Sequence, residues 1–389
     1  MKKCLIVLLT AAMLFAMVAC TGSGAPAATT VQTTVGTTTA PEPGREPVDL
    51  KIMSFNVWVT LPKTSGVLTE PARNRIAALR AEIQMHNPDI LGLQEDSTTW
   101  LENINLEGYT SFYSHDISGN NEHCAIFYKS SMNCLEKGTK WLTSTGAAGA
   151  VAITMEDLNG TGEYALTDAE MARLMLTRNS NDSEFRKSRK QYINDAGETV
   201  TMDSSYNYLA ARLMNYVVLE DNGQHLIYVN THLQHRSQNS EYISDALTKL
   251  RTFERLKQFS MVQEKIEQLK ETYPNAHVVI TGDFNDEPFS EIYEMVTGLG
   301  YRDSHFAAKR ISGNPGSWNS WFDGSVQGDN YPSERSASNS RIDFCFVSAD
   351  LPVVMHRISQ GYGTIKTASG EEKNIYTSDH LAVVVTVKF

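Results

Sequence analysis

The chain has 389 residues, 41% of them hydrophobic, and a net charge of −11. That is apolar content enough for a sizeable core, and length enough for one large domain or two ordinary ones. The acidic balance excludes a generally basic nucleic-acid-binding surface and leaves room only for a local basic groove.

The first twenty residues read as a targeting segment. Lys2 and Lys3 give a charged start, Leu5 to Val18 is almost wholly apolar, and Met17-Val18-Ala19-Cys20 closes it. The apolar run is short for a membrane-spanning helix and fits a signal-peptide core. Small residues just before a cysteine resemble the bacterial lipobox. The resemblance implies cleavage before Cys20, acylation of that cysteine and a lipid anchor on the extracellular side of a bacterial membrane. An ordinary secretory signal and an uncleaved anchor are the alternatives. Residues 21–47 are rich in Thr, Ala, Gly and Pro. They cannot bury enough surface to fold and read as a flexible tether.

Residues 48–389 read as the folded body. Leu50 to Trp58 alternates as a strand. Ile76, Leu79 and Ile83 share one helical face, and Pro88 precedes a strand over Ile90–Glu95. Of the cysteines after Cys20, Cys124, Cys134 and Cys345 form an odd set, so no full disulfide framework is expected. A hairpin turning near Ser130 and Ser131 would not set Cys124 opposite Cys134, and Cys345, in an apolar run, reads as a small buried hydrophobe. No CxxC spacing suggests zinc. Residues 142–205 are polar and weakly periodic and read as an insertion.

Within that insertion, Asp157, Asn159, Thr161 and Asp168 fall at positions one, three, five and twelve of a calcium-loop pattern, with Gly162 at six. A turn followed by a helix capped by Thr167 and Glu170 explains the same residues without Ca²⁺. Arg186 to Lys190 is the one dense basic cluster, a phosphate-tracking patch or a solvated helix face. Strands over Leu213–Glu220 and His225–Thr231 flank the turn signal Asp221-Asn222-Gly223-Gln224. A long helix is expected over Ser244–Thr272, a strand over His277–Thr281, and late strands over Arg341–Val347 and Leu381–Lys388. Trp318, Trp321, Phe322 and Tyr331 crowd a Gly-rich stretch, either to stack on a substrate or to pack under a loop. Strands alternate irregularly with helices and some neighbours are hairpins, a mixed-sheet α/β pattern.

Four carboxylates, Glu95, Asp283, Asp343 and Asp379, follow or interrupt apolar strands, each with polar company. Carboxylates at strand ends are costly to bury without a cation. Singly, each reads as a loop or capping residue. Together with His232 and His380, they read as one site.

The ordered set Ser54-Phe55-Asn56, Gln94-Glu95, Asn230-Thr231-His232-Leu233, Gly282-Asp283-Phe284-Asn285, Arg341-Ile342-Asp343-Phe344 and Ser378-Asp379-His380 resembles the endonuclease/exonuclease/phosphatase family. The resemblance implies a deoxyribonuclease-I-like fold, a four-layer sandwich of two mixed β-sheets flanked by helices. It implies a metal-dependent phosphoric-ester hydrolase, with extracellular nucleic acid as the leading substrate, working as a monomer. Phosphomonoesterase or lipid-headgroup phosphodiesterase action is the first alternative, and a binding module without turnover the second. Glu95 would be the principal metal ligand, joined by Asn56 and Asp379, around Mg²⁺ or Mn²⁺. Asp283 would orient or deprotonate the attacking water, and Asn285 would hold a phosphate oxygen. His380 would contact phosphate with Asp343 fixing its tautomer, and His232 would be the second phosphate histidine. His235 reads as a loop residue.

Overall fold

The computed structural model describes residues 47–114, 123–142, 189–193, 199–203, 212–221, 223–236, 245–318 and 340–389. The leader, the tether, the calcium-like loop, Arg186 to Ser188 of the basic cluster, and Trp321, Phe322 and Tyr331 lie outside these residues. In chain order the elements are β1 (Asp49–Asn56), β2 (Lys63–Thr64), β3 (Val67–Leu68), α1 (Glu70–His86), β4 (Ile90–Gln94), α2 (Thr98–Ile104), β5 (Tyr109–Phe112), β6 (Ile126–Lys129), β7 (Asn133–Trp141), β8 (Arg189–Ile193), β9 (Thr199–Asp203), β10 (Leu213–Asp221) and β11 (Gln224–His232). There follow α3 (Asp245–Thr272), β12 (His277–Asp283), α4 (Glu291–Gly298), β13 (Arg302–Asp303), α5 (Ser304–Ala307), β14 (Arg310–Gly313), β15 (Asp343–Val347), β16 (Val353–Ile358), β17 (Tyr362–Lys366), β18 (Glu372–Tyr376) and β19 (Val383–Lys388).

One sheet has seven strands in the order β14-β16-β19-β1-β4-β6-β5, and the other six in the order β13-β15-β12-β11-β10-β7. Both are mixed: β1 is parallel to β4 and antiparallel to β19, while β12 is parallel to β11 and antiparallel to β15. The sheets face each other across a shared apolar layer that includes Ile52, Ile90 and Val385 from one and Val217, Tyr228 and Val279 from the other. The outer face of the first sheet packs on Ile76, Leu79 and Ile83 of α1 and Trp100 of α2. The outer face of the second packs on Phe259, Val262 and Ile266 of α3 and Ile292 of α4. This is the expected four-layer sandwich. Central strands covered on both faces are apolar almost throughout, which is why β12 buries six of its seven residues.

Local chemistry sets the element ends. The Thr69 hydroxyl accepts from Ala72 N at the start of α1, and Asn87, at φ 45°, ends it in the left-handed region. The Asp221–Gln224 turn closes the β10–β11 hairpin, with Gly223 at φ 80°. Helix α3 begins at Asp245, one residue later than expected, and β4 stops at Gln94 because Glu95 turns left-handed at φ 56°. One expectation fails. No hairpin turns near Ser130: β6 belongs to the seven-stranded sheet and β7 to the other, so the chain crosses between sheets there. Cys124, Cys134 and Cys345 are free thiols. Among the described residues no helix is long and apolar enough to cross a membrane.

Candidate active site

Topology gathers the site at one edge. Asn56 closes β1, Glu95 follows β4, His232 closes β11 and Asp283 closes β12. The antiparallel strands β15 and β19 start at that edge, with Asp343 first in β15 and Ser378 to His380 just ahead of β19. Register then places neighbours side by side: His232 pairs with Asp283, and Asp283 with Asp343.

Side chains from both sheets meet. The Asn56 amide donates to Glu95 Oε1 at 3.1 Å and to Asp283 Oδ2 at 3.0 Å, joining the two sheets. Glu95 Oε2 accepts from Val59 N at 3.0 Å, and Asp283 Oδ1 from Asn285 N at 2.8 Å. Asp283 Oδ2 lies 3.5 Å from His232 Nε2 and 3.7 Å from His380 Nε2. His380 Nδ1 lies 2.8 Å from Asp343 Oδ2. Asn285 Nδ2 sits 2.9 Å from His232 Nε2 and donates to Leu233 O at 3.0 Å. Asp379 is half-buried, and its Oδ1 accepts from the Ser378 hydroxyl at 3.2 Å. All eight residues expected from the sequence therefore stand at this edge, seven of them in one contact network through Asn56, Asp283 and His380. His235 is half-buried beside it; burial, then Arg251, hold its pKa down at about 3.

The electrostatics separate the acids. Burial, and then the charge of Asp343, push Asp283 up to about 6, against the pull of both histidines. Burial alone would lower His380, but Asp343, Asp379 and Asp283 outweigh it and raise the ring to about 10. His380 is thus an imidazolium at neutral pH. Burial raises Asp379, with Glu95's charge adding to it against the pull of His380.

The backbone is bent to this purpose. Trp58, Glu95 and Asn285 take φ of 57°, 56° and 52°, a conformation costing ~1–3 kcal/mol for residues such as Trp58 and Glu95 and less for an asparagine. All three flank site strands. Gly282, at φ 152°, has no alternative, since a Cβ there would lie 2.0 Å from Thr231 O. Strand alternation does not reveal a buried amide network beneath the carboxylates. Gln94 Nε2 donates to Ser54 Oγ at 3.1 Å and to Asn230 Oδ1 at 2.6 Å, and Asn230 Nδ2 donates to Leu93 O at 2.7 Å. Gly92 makes room for it: a Cβ would come within 2.5 Å of Asn230 Oδ1 and 2.6 Å of the Tyr228 hydroxyl.

Some supporting residues carry no motif. Ser317 Oγ accepts from Ile342 N and Asp343 N at 3.1 and 3.0 Å. Asp303, likewise outside the motifs, holds the motif residue Arg341 in a two-pronged pair at 3.1 and 2.6 Å. Apolar neighbours on the same helical face, Ala72, Ile76 and Leu79, could have signalled the burial of Arg75; Arg255 and Gln258 sit on a polar stretch that gives no such signal.

Two donor sets compete as a metal site. Asp283, Asp343 and His380 offer ligand atoms within 4.8 Å of one another. Against the effect of burial, the carboxylates around His380 raise its pKa, so a metal on this set would have to displace a proton from the ring. Glu95 and Asp379 supply hard oxygens, and their mutual repulsion is what a divalent cation would relieve. Asn56 turns its amide nitrogen to Glu95 while its Oδ1 accepts from Trp58 N at 3.0 Å, so it would have to turn over to join them.

A four-layer α/β sandwich with buried carboxylates and histidines at one edge is the frame of a phosphoesterase. The profile of the endonuclease/exonuclease/phosphatase family matches residues 53–213 and 257–380, and the chain belongs to that family, whose members are phosphoesterase hydrolases that generally use divalent metals. No curated protein sequence matches significantly. Solved structures do. A family protein from Bacteroides thetaiotaomicron is 19% identical with a TM-score of 0.57, over 88% of this chain and 98% of that one. The mannosyl-6-phosphatase of the same organism is 19% identical with a TM-score of 0.55, over 87% and 100%. A family protein from Bacteroides vulgatus is 17% identical with a TM-score of 0.55, over 88% and 99%. At these identities the likeness shows the fold.

Proposed function

We propose that the chain is a divalent-metal-dependent phosphoesterase that hydrolyses a phosphomonoester of a small molecule by direct attack of water on phosphorus. The observation that carries the reading is the junction at Asp283, where Asn56, Asn285, His232 and His380 converge on one carboxylate. Asp283, with its pKa near 6, is poised to take a proton from water at neutral pH. Asn285 and His232 bind a phosphate oxygen. His380, kept charged by Asp343, meets negative charge as it grows on the equatorial oxygens. A divalent ion held by Glu95, Asn56 and Asp379 would supply Lewis-acid stabilisation of the phosphoryl and leaving oxygens.

Charge favours the monoester. Arg236, four residues past His232, is tied to Asp286 at 2.6 Å and to Glu287 at 3.3 Å, and Arg341 to Asp303. Neither offers a track for a polyanion. The mannosyl-6-phosphatase of similar fold is an analogy of the same kind. The second reading is a phosphodiesterase acting on nucleic acid, favoured by the histidine pair and the Arg186–Lys190 cluster. In either case the Lys2–Cys20 leader supports an enzyme tethered by lipid outside the cell.

The deciding experiment assays residues 48–389 with Mg²⁺ on hexose 6-phosphates, DNA, RNA and sphingomyelin. Phosphate release from monoesters alone is expected. Cleavage of DNA or RNA without monoesterase activity selects the second reading, and no hydrolysis of any ester ends both.

A further inference from the structure

The buried face of α3 changes character along its length. Phe259, Val262, Ile266 and Leu269 pack in the core, whereas Arg251, Glu254, Arg255 and Gln258, in the turns before them, are equally buried. Buried ion pairs repay their desolvation poorly, and apolar residues of like volume often serve stability as well. The polar half is therefore a candidate for a role beyond stability.

Arg255 shows what it touches. Its Nη2 donates to Asp286 Oδ2 at 2.7 Å and to Thr252 Oγ1 at 3.2 Å, and its Nη1 donates to Gln234 O at 3.3 Å. Gln234 lies two residues past His232, and Asp286 lies next to Asn285. Gln258, one turn on, accepts from Gln234 N at 2.9 Å. The two loops are also stitched directly, Leu233 N donating to Asp283 O at 2.9 Å and Asn285 Nδ2 to Leu233 O at 3.0 Å. Arg236 holds the other oxygen of Asp286 at 2.6 Å.

We propose that Arg255 is a positioning residue, whose guanidinium clamps the loop after His232 to the loop carrying Asp283 and Asn285 and so sets the distance of His232 from both. The proposal rests on the phosphoesterase reading of this pocket. The rigid, planar fork spans two acceptors on two loops; a lysine ammonium keeps the charge but is a single point and cannot hold the same geometry. A misplacement of about 1 Å costs on the order of 100-fold in rate.

The test uses Arg255→Lys and Arg255→Met in residues 48–389, with Mg²⁺ and the ester the unaltered protein hydrolyses best. Arg255→Lys is expected to fold with little change in thermal midpoint and to lose roughly 10- to 100-fold in kcat, with KM within about threefold. Asp286→Asn should behave alike, and the double variant should be no worse than the poorer single one, because both break one link. Nitrogen resonances of the His232 ring should shift in Arg255→Lys while those of His356 stay put. A folded Arg255→Lys with unaltered kcat and His232 resonances overturns the proposal. So do additive losses, a change in KM alone, or failure of both Arg255 variants to fold, which would make the residue structural. If the unaltered protein hydrolyses no ester, the phosphoesterase reading fails, and the His232 spectrum still decides the clamp.

Discussion

The two sheets bring charge to the pocket in opposite ways. The second sheet supplies Asp283 and Asp343 as buried acids with histidines against them, His380 lying 2.8 Å from Asp343 and His232 lying 3.5 Å from Asp283. The first sheet supplies Glu95, held by the neutral donors of Asn56 and Val59, and Asp379, whose pKa rises with burial and with Glu95's charge. The Asp283–Asp343 side meets a charged His380, which reaches it from just ahead of β19 of the first sheet, and is suited to proton transfer and to a phosphate anion. The other concentrates negative charge and is suited to an added cation. The division of labour proposed above follows from that asymmetry, and it breaks down if substitutions on the two sides have the same consequences.

The largest effect is expected at Asp283. Asp283→Asn removes the base and should lower kcat by about 10²–10⁴-fold, the usual range for general-base catalysis. Stability should be spared or raised, since burial already opposes the charged form. Rate and thermal midpoint measured together check this, and retained activity would move the base elsewhere. Across the pocket, Glu95→Gln should act through the metal. Its loss should exceed the roughly 10- to 100-fold typical of an outer-shell partner, and raising Mg²⁺ should recover part of it. Titration of activity against Mg²⁺ reads the shift. Asp283→Asn should show no such recovery, and equal recovery in both variants would erase the distinction between the sides.

The outer helices repeat the contrast. Arg75 of α1 is 1% exposed and lies between the rings of Trp58 and Trp100, at 4.8 and 5.1 Å. It donates to the carbonyls of Val57 at 2.8 Å and of Thr377 at 2.8 Å, and also to Thr60 O. It thereby holds the loop after Asn56 against the loop before Asp379, as Arg255 does for the opposite loops. Arg75 binds carbonyls and rings, whereas Arg255 binds a carboxylate. Arg75→Lys strands several buried carbonyls, so it should lower stability by on the order of 3 kcal/mol. Arg255→Lys keeps its pairing with Asp286 and should lower stability less. Chemical denaturation of both variants tests the ranking, and a larger loss for Arg255→Lys would invert it.

Much of this was legible in the sequence because strand ends and motif residues coincide. Apolar runs such as His277–Thr281 mark covered strands, and the polar residue that ends each run is left at the pocket edge. Asp283, His232 and Glu95 were readable for that reason. Residues that act at a distance were not. Ser317 supports Asp343 through two backbone amides, and Arg255 reaches another loop from inside a helix. Neither leaves a local pattern, because its partners are fixed by tertiary packing and not by spacing along the chain. The short strands β5 and β6, and the sheet change near Ser130, were missed because short apolar segments do not reveal which sheet they join.

The effect furthest from the pocket concerns a histidine without a carboxylate partner, His356 on β16 of the first sheet. Its ring is buried, its Nδ1 lies 2.9 Å from Ser304 Oγ, and burial, then His305 and Arg341, hold its pKa down at about 3. In the unfolded chain the ring takes a proton below about 6.5. Between that value and about 3 the unfolded state therefore binds more protons than the folded one, and stability falls as pH falls, by up to about 1.4 kcal/mol per pH unit from this ring. His356→Asn removes the contribution, so the gap in unfolding free energy between it and the unaltered protein should narrow steadily on acidification from pH 7 to pH 4.5. Other groups, including Glu254, which burial raises to about 7, titrate in both proteins and cancel in the difference. A gap constant across that range would mean that His356 accepts a proton in the folded protein as readily as in water, and that burial without a partner does not separate it from His380.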